Sequence, residues 1–422
     1  MRLVPIALAF ASSLAAQGSC ATASVNPLGT PCGPASLTAT LPSLGSTMNV
    51  TIDGTVAGLA GSLFQSPGPG VQTPFLGCDI YLTQLNVAAL VLTDANGDAT
   101  VPVAIPNNPA LCGAQLIVQG AVWSGTGSVL GMDVTNALEL NLGSAPPTGG
   151  TFPPDWIHGS SNCSTNTDPP IQVHQYAART WILRQNACLN FEAPFMYLMI
   201  GDTKAILIDS GATSSASLFP IRATVQGILD TYEAANSLPD LDLIVAHSHS
   251  HGDHRQGDGQ FIGQPNTTVV GSSLNSVQSF YGFTSWPTQQ VTYDLGGRSL
   301  DVLGIPGHHS THIAFYDAET GALFTGDSLY PGYLFIPSLN TYKASIARLT
   351  AFAQTKVVTN VLGGHVEMRS TPGVWYPYGT VYQPLERDLQ LDMSHLIELN
   401  TALLSINGPV TQVHNDFIIN AF

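Results

Sequence analysis

The sequence predicts an α/β domain preceded by an all-β module, and three features of its 422 residues support this prediction. Residues 17–145 are rich in Gly, Ser, Thr, Val and Leu, and their short apolar runs are separated by turn signals. Residues 146–170 are rich in proline, which is typical of a linker. In residues 171–422, apolar strands alternate with helical periodicity. We therefore expect two domains joined by a linker.

Residues 1–16 have the pattern of a secretory signal peptide. Arg2 precedes an apolar run at residues 3–11, and residues 13–16 supply the small side chains of a cleavage zone. The run is too short to cross a bilayer, and no other run in the sequence reaches that length. We expect a protein that is secreted, periplasmic or on the cell surface, with no membrane span.

Six cysteines, an even number, fit disulfides formed in an oxidising compartment. Their positions favour pairs that are near in sequence, although about fifteen connectivities exist for six cysteines. The expected pairs are Cys20 with Cys32, Cys78 with Cys112, and Cys163 with Cys188.

The charge of the chain argues against a nucleic-acid enzyme. The net charge is −16, and only 12 residues are Lys or Arg. A protein that neutralises phosphates needs a basic surface, and none is visible. A small-molecule substrate is the expected partner.

The β-rich module contains strand-like runs at residues 79–82, 88–92 and 115–119. Turn signals such as Asn96-Gly97 separate these runs, which is the pattern of an antiparallel sandwich. Residues 17–145 contain no histidine, so a metal site is not expected there. A targeting, adhesive or spacer role is the favoured interpretation, with glycan binding as the alternative.

The α/β domain begins with paired strands at residues 196–200 and 205–209. Helical periodicity follows at residues 216–235, where Pro220 is tolerable only in the first turn. An apolar strand at residues 241–246 leads into a histidine-rich motif. Two later helices are expected at residues 341–353, with Asn340 as N-cap, and at residues 389–404.

The motif at residues 249–254 reads His-Ser-His-Gly-Asp-His and is the most informative stretch of the chain. Imidazole and carboxylate groups are the ligands that zinc takes. His249 and His251 are two residues apart and point to the same side of an extended chain. Asp253 and His254 follow Gly252, where the chain is free to turn towards a second ion.

Three further metal-ligand side chains follow predicted strands, each beside a glycine. They are His308 after residues 299–305, Asp327 after residues 322–325, and His365 after residues 357–362. The ordered series resembles the metallo-β-lactamase superfamily, whose signature is H-x-H-x-D-H followed by separate His, Asp and His ligands. The resemblance covers residues 171–422 and implies the αββα fold, with the metals at one edge of two sheets.

The resemblance also implies a ligand set and a reaction. One ion would be held by His249, His251 and His308, the other by Asp253, His254 and His365, and Asp327 would bridge them. Two zinc ions are expected, with iron or manganese as alternatives. Ions about 3.5–4 Å apart hold a hydroxide that attacks at neutral pH. Asp253 would orient it, and the substrate would be an ester, a lactone or a related carbonyl compound.

Tyr330 is the principal non-ligand candidate. Lactonases of the superfamily place a tyrosine at a similar offset from the bridging aspartate, which implies that its hydroxyl stabilises a carbonyl oxygen. Packing of the ring beneath the loop is the alternative. Asp209 is either a hydrogen-bond partner of a ligand histidine or a turn cap. His309 and His312 are expected to be structural or rim residues.

Departures from known members narrow the substrate class. Zinc β-lactamases usually lack the bridging aspartate, so Asp327 argues against that activity. Arg369 and Arg387 are the only lysine or arginine residues after His365, which argues against a thioesterase that binds glutathione. Two alternatives to a hydrolase remain open. One is a sulfur dioxygenase-like oxidoreductase with one iron, and the other is a binding or adhesive protein whose metal site is structural.

Overall fold

A computed structural model of the chain describes residues 22–127 and 129–422. The described residues divide into two compact units, the first ending at Pro146 and the second spanning Pro147–Phe422. The expected signal peptide and Cys20 lie outside the described residues. Within the described ranges, no helix has the length and apolar character needed to cross a membrane.

The first unit is built from strands and a single 3₁₀ turn, Pro109–Leu111, within its described residues. Its strands are β1 (Ser24–Leu28), β2 (Ser36–Ala39), β3 (Thr47–Asp53), β4 (Ala60–Pro67), β5 (Thr73–Phe75), β6 (Cys78–Ile80), β7 (Asn86–Leu92), β8 (Ala99–Ala104), β9 (Gln115–Gly127) and β10 (Gly131–Asn141).

Two antiparallel sheets of the first unit pack face to face. One has the order β1-β10-β9-β4-β7, the other β2-β3-β8, and β5 and β6 form a separate hairpin. Alternate side chains of β3 and β8, such as Val50 and Val103, meet Leu63, Val118 and Leu138 of the larger sheet in one buried cluster. This pattern of inward-facing apolar residues gives the predicted β-rich module.

The disulfide pairs expected in the first unit are wrong. Cys32 is bonded to Cys78, with the Cα atoms 5.6 Å apart, which excludes both Cys20–Cys32 and Cys78–Cys112. The backbone at Cys32 pairs with Val134 of β10, and Cys78 of β6 packs in the same buried cluster. Sheet pairing, which is not visible in the spacing of the cysteines, therefore sets the connectivity. In the second unit, the expected pair Cys163–Cys188 is confirmed.

The second unit contains five helices and fifteen strands. The helices are α1 (Ile221–Asn236), α2 (Gly252–Arg255), α3 (Leu274–Tyr281), α4 (Leu339–Ala353) and α5 (Met393–Ser405). The strands are β11 (Ile171–Ala177), β12 (Thr180–Gln185), β13 (Phe195–Ile200), β14 (Lys204–Ile208), β15 (Asp242–Ala246), β16 (Thr267–Val269), β17 (Gln290–Asp294), β18 (Ser299–Gly304), β19 (Ile313–Asp317), β20 (Ala322–Gly326), β21 (Tyr333–Ile336), β22 (Asn360–Gly363), β23 (Gln390–Leu391), β24 (Val410–Val413) and β25 (Ile418–Ala421).

Two six-stranded sheets lie between helices in this unit. Their orders are β11-β12-β13-β14-β15-β16 and β17-β18-β19-β20-β22-β23, and β21-β25-β24 form a smaller sheet. Ile206 of the first sheet and Val302 of the second share one buried cluster between the sheets. On the outer faces, Leu207 packs with α1, and Leu303 packs with α4 and α5. The layers are therefore helix, sheet, sheet and helix, as the αββα prediction requires.

Residues 147–170, expected to form part of a linker, are part of the second unit. The ring of Trp156 meets that of Phe195 with the centroids 5.1 Å apart, and Phe152 meets Tyr176 at 5.2 Å. The Thr151 amide donates to the Tyr176 carbonyl at 2.9 Å. Aromatic side chains among the prolines therefore attach this segment to the core of the unit.

Three helices begin at other residues than expected. Helix α1 starts at Ile221, so that Pro220 is its N-cap residue. Ser338 instead of Asn340 precedes α4. Helix α5 starts at Met393, where Asp392 accepts from the Ser394 amide in a capping box.

Candidate metal centre

Four strands of the second unit place the predicted ligands together. The histidine-rich motif follows β15, His308 follows β18, Asp327 follows β20 and His365 follows β22. The ligand atoms of the seven side chains form two clusters. His249, His251 and His308 form the first cluster, and Asp253, His254, Asp327 and His365 form the second.

Three ring nitrogens converge in the first cluster. His251 Nδ1 lies 2.9 Å from both His249 Nε2 and His308 Nε2. The two Nε2 atoms are 3.2 Å apart. His249 is fully buried, whereas His251 is partly open to solvent. One side of this cluster is therefore accessible.

The second cluster combines two imidazoles with two carboxylates. Asp253 Oδ2 lies 3.1 Å from His254 Nε2 and 3.3 Å from His365 Nε2. The two Nε2 atoms are 3.3 Å apart. Asp327 Oδ1 completes the cluster, 3.3 Å from His254 Nε2.

Asp327 lies between the clusters, with one oxygen directed at each. Its Oδ1 atom faces the second cluster, and its Oδ2 atom lies 3.6 Å from His308 Nε2 and 3.8 Å from His249 Nε2. Oδ1 is buried and has no hydrogen-bond partner. A buried carboxylate oxygen without a donor is costly unless a cation compensates it. This position is suited to an oxygen shared by two cations.

The outer nitrogens of the histidines show which ring atoms hold lone pairs. His308 Nδ1 donates to the Phe335 carbonyl and His365 Nδ1 to the Glu192 carbonyl, both at 2.8 Å. Carbonyl oxygens only accept, so each Nδ1 carries the proton and each Nε2 presents a lone pair to its cluster. Lone pairs converging on one point fit a metal ion with nitrogen and oxygen ligands, such as zinc.

Asp209 hydrogen-bonds His254 of the histidine-rich motif and Ser248, the residue before the motif. Its Oδ1 accepts from the Ser248 amide at 2.7 Å. Its Oδ2 accepts from the Ser248 hydroxyl at 2.9 Å and from His254 Nδ1 at 2.8 Å. The residue has a φ of 66°, a left-handed conformation in which aspartate is tolerated. These contacts match the first of its two expected roles, a hydrogen-bond partner of a ligand histidine.

The electrostatics of the two clusters differ. Burial lowers the pKa of His249 well below its usual value and also lowers the pKa of His251 and His308. In the second cluster, burial opposes charge on His365, but Asp327 and Asp253 outweigh it and raise the pKa to about 10. The first cluster is therefore neutral at pH 7, and the second attracts positive charge at its centre.

The carboxylates of the second cluster are held ionised. Burial alone would raise the pKa of Asp327 and Asp253, but His254 and His365 outweigh it and hold both values well below the usual range. Ionised carboxylate oxygens beside imidazole nitrogens are a ligand set that suits a divalent cation, which would take the place of the protons on those nitrogens.

Tyr330 lies beneath the second cluster. Its ring centroid is 5.7 Å from that of His365, and the side chain is buried. The hydroxyl donates to the Tyr333 carbonyl at 2.8 Å and lies 3.2 Å from Glu367 Oε2. The expected role at a substrate carbonyl would require this hydroxyl to leave the Tyr333 carbonyl.

Other histidines surround the clusters without joining them. His312 stacks on His249 with the centroids 4.7 Å apart, and its Nε2 has no hydrogen-bond partner. His309 Nδ1 pairs with the Thr311 hydroxyl at 2.8 Å, and burial lowers the pKa of His309 to about 4. His247 pairs with Asp258 at 2.8 Å.

Two acidic residues at the centre were missed by the sequence prediction. Glu192 supplies the carbonyl that accepts from His365, and burial raises the pKa of its carboxyl to about 7. Glu367 accepts from the Tyr333 amide at 2.8 Å. Every residue has a backbone carbonyl, so a contact made by one cannot be predicted from the residue type. The only signal for Glu192 is a carboxylate between Phe191 and Ala193 in an apolar stretch.

The second unit is similar in sequence to known proteins. Residues 189–365 match the family model of the metallo-beta-lactamase superfamily. The second unit therefore contains a metallo-beta-lactamase superfamily domain with the αββα fold. The chain is also similar to a solved metallo-beta-lactamase from Pontibacter korlensis, with 17% identity, a TM-score of 0.38, and coverage of 56% of this chain and 100% of that one.

Curated relatives are hydroxyacylglutathione hydrolases. The protein from Methylococcus capsulatus is 35% identical over 27% of this chain and 45% of its own length. The one from Chromohalobacter salexigens is 31% identical over 44% of this chain and 60% of its own. The one from Roseobacter denitrificans is 26% identical over 39% and 63%, respectively. This chain spans less than two thirds of each of these relatives.

Proposed function

We propose that this protein is a metal-dependent hydrolase that cleaves an ester, a lactone or a related carbonyl compound, with two zinc ions as its cofactor. The single observation that carries the proposal is the position of Asp327, whose two carboxylate oxygens face two separate clusters of histidine nitrogens. A site that only stabilises a fold needs one closed set of four ligands, not two joined sets. Iron and manganese are the alternative metals.

The ligand roles follow from the two clusters. His249, His251 and His308 would hold one ion, Asp253, His254 and His365 the other, and Asp327 would contact both. Ions held there would supply Lewis-acid activation of water and of a substrate carbonyl at neutral pH.

Asp253 is the proposed residue that orients the attacking water. Its Oδ2 atom faces His254 and His365, and its side chain is 21% exposed, more than that of Asp327 at 9%. The other carboxylate oxygen is therefore the group of this centre best placed to accept a hydrogen bond from water at the open side.

Tyr330 is proposed as a second catalytic residue, stabilising charge on the substrate oxygen. Its hydroxyl must first exchange the Tyr333 carbonyl for substrate. Removal of this hydroxyl by Tyr330→Phe tests the role, because the ring that packs near His365 is retained.

Glutathione is not the favoured leaving group, although the curated relatives carry that name. Only two lysine or arginine residues, Arg369 and Arg387, follow His365. Arg387 pairs with Asp416, and the Arg369 guanidinium lies 5.2 Å from the centroid of the Tyr376 ring. The charge of Arg387 is therefore already compensated, and Arg369 alone remains to bind the carboxylates of a tripeptide, which supports a simpler ester or lactone.

A location outside the cytoplasm is part of the proposal. The Cys32–Cys78 and Cys163–Cys188 disulfides are typical of an oxidising compartment. We propose a secreted, periplasmic or cell-surface enzyme whose substrate is a small molecule. The β-sandwich unit would serve targeting, adhesion or spacing, with glycan binding as the alternative.

Hydrolysis assays on the zinc-loaded protein test the proposal. A panel of esters, lactones, thioesters and β-lactams would be compared in the native chain, His251→Ala and Asp327→Ala, with metal content measured in each. Both variants are expected to lose activity by at least about 100-fold and to keep the native circular dichroism. His174→Ala is the control, because His174 lies on β11 and bonds the Thr151 carbonyl. Native turnover in either ligand variant would overturn the mechanism.

A further inference from the structure

Exposed aromatic side chains stand beside the first cluster. Strand β21 buries Leu334 and Ile336 and turns Tyr333 and Phe335 to the other face. Phe335 is 46% exposed, and its ring centroid is 6.2 Å from that of His308. The same residue's carbonyl accepts from His308 Nδ1.

Two more rings extend this surface. Phe422 meets Phe335 with the centroids 4.4 Å apart and is 55% exposed. Trp375 meets Tyr333 at 6.2 Å and is 40% exposed. We name the four residues the first wall, namely Tyr333, Phe335, Trp375 and Phe422.

A second aromatic pair lies next to a residue that contacts the second cluster. Phe191 directly precedes Glu192, whose carbonyl accepts from His365 Nδ1. The rings of Phe191 and Tyr378 meet edge to face with the centroids 4.7 Å apart. Tyr378 is 85% exposed. Phe191 and Tyr378 form the second wall.

We infer that the substrate carries a bulky apolar acyl or aryl group, which binds against these two walls while its carbonyl lies at the metal centre. The inference rests on the proposed function and specifies its substrate class. Phe335 of the first wall accepts from His308 through its own carbonyl, and Phe191 of the second wall directly precedes Glu192, whose carbonyl accepts from His365. An apolar group held against both walls is therefore close to both clusters.

Exposure of these rings is the physical reason for an apolar ligand. Aromatic side chains bury about 150–250 Å² each when covered, and a contiguous exposed set marks a binding surface. None of the six wall residues is Asp, Glu, Lys, Arg or His, so an ionised substituent gains no ion pair from them. A flexible alkyl chain or an aromatic ring would instead remove this surface from water.

The test compares 4-nitrophenyl acetate with 4-nitrophenyl octanoate as substrates of the zinc-loaded full chain. The native protein is expected to favour the octanoate by at least about tenfold in kcat/KM. Phe335→Ala and Tyr378→Ala are each expected to lower that preference by about tenfold, mainly through KM. The His308 and His365 contacts use backbone carbonyls, which these substitutions leave in place.

A binding measurement separates this inference from the proposed function. 4-Nitrophenyl octyl ether has no scissile carbonyl and should quench the fluorescence of Trp375, an effect that Trp375→Phe should reduce. Leu404→Ala is the matched control, because Leu404 is 72% exposed on α5 and belongs to neither wall. This variant should keep native binding and chain-length preference.

Each outcome is decisive. Ester hydrolysis without a chain-length preference and without ether binding would overturn the inference and leave the proposed function standing. Ether binding without hydrolysis of any ester would overturn the proposed function and the assignment of the walls to its substrate. Wall variants that change the oligomeric state but not the preference would assign the walls to an interface between chains and overturn the inference.

Discussion

At the scale of single residues, Asp209 connects two residues of the metal centre, Ser248 and His254. It receives hydrogen bonds from the amide and the hydroxyl of Ser248 and from His254 Nδ1. The Ser248 hydroxyl donates to Asp209 and lies 3.1 Å from His249 Nδ1, so one carboxylate orients a histidine of each cluster. Such partners fix the ring nitrogen that faces the metal.

Asp209→Asn tests this role. An amide directed at His254 can donate to Nδ1, which would move the ring proton to Nε2 and remove a ligand lone pair. We expect zinc affinity to fall by about 10- to 100-fold while the fold is kept, because asparagine also tolerates a left-handed backbone. Titration against a zinc chelator measures the loss. Asp258→Asn is the control, since Asp258 pairs with His247 outside both clusters. Equal affinity in Asp209→Asn and the native chain would contradict the role.

The seven candidate ligands were predictable because metal chemistry restricts them to histidine and aspartate at recognisable intervals. The structure brings all seven together. The supporting contacts were not predictable in the same way. Glu192 and Phe335 act through backbone carbonyls, which any residue offers, and the commitment of the Tyr330 hydroxyl to Tyr333 depends on a loop conformation.

Arg298 connects the two sheets of the second unit at the scale of secondary-structure elements. Its Nη2 atom donates to Asp317 Oδ2 at the end of β19 at 2.6 Å and to the Thr180 hydroxyl on β12 at 2.7 Å. Its Nη1 atom donates to the Ile200 carbonyl on β13 at 3.2 Å. The side chains of Arg298 and Asp317 are both buried, so each charge needs the other as its counter-charge.

Asp317→Asn is expected to destabilise the second unit by roughly 3–5 kcal/mol at pH 7, because it leaves a buried guanidinium without its counter-charge. Burial raises the pKa of Asp317, but Arg298 outweighs it and the net pKa is lowered. The carboxylate therefore stabilises the fold above its unfolded pKa and loses this contribution as pH falls through the lower folded value. The difference in free energy of unfolding between the variant and the native protein should be largest at pH 7 and should shrink below about pH 4.

Urea unfolding at pH 7 and pH 3 measures this difference. Asp202→Asn is the matched control, because Asp202 pairs with Arg179 at the surface and its side chain is 64% exposed. That change should cost no more than about 1 kcal/mol. A difference for Asp317→Asn that stays constant between the two pH values would contradict the ionised pair.

Strands were easier to predict than helix starts in this chain. The predicted strands at residues 196–200 and 205–209 correspond to β13 and β14, which pair in antiparallel fashion. Apolar runs define strands directly, whereas the start of a helix also depends on local contacts that satisfy its first amides. Asp392 does so for α5, and the apolar residues before it belong to β23 instead.

At the scale of the whole molecule, the second unit begins with a segment whose composition suggests a linker. Residues 147–170 place Phe152 and Trp156 against the core of the second unit and end near the Cys163–Cys188 disulfide. Proline content describes how stiff a segment is, but not what its aromatic residues contact. The Cys32–Cys78 bond was missed for a similar reason, because it depends on sheet order.

Two truncations test where the second unit begins. A chain of residues 147–422 should fold and bind zinc as the full protein does. A chain of residues 171–422 lacks Trp156 and Cys163, and it should melt at least about 10 °C lower because a disulfide and the packing of a partly buried ring are lost. Scanning calorimetry measures both. The double variant Cys163→Ser/Cys188→Ser isolates the contribution of the disulfide to the melting temperature. Equal melting temperatures of the two truncations would contradict the assignment of residues 147–170 to the second unit.

Metal content of the purified full-length protein tests the central claim most directly. Elemental mass spectrometry on protein prepared without added metal should give two zinc ions per chain, because Asp327 directs one oxygen at each of two clusters. In Asp327→Ala the content should fall below that of the native chain. One iron per chain, with oxygen consumption in place of hydrolysis, would contradict the account and favour a sulfur dioxygenase-like oxidoreductase.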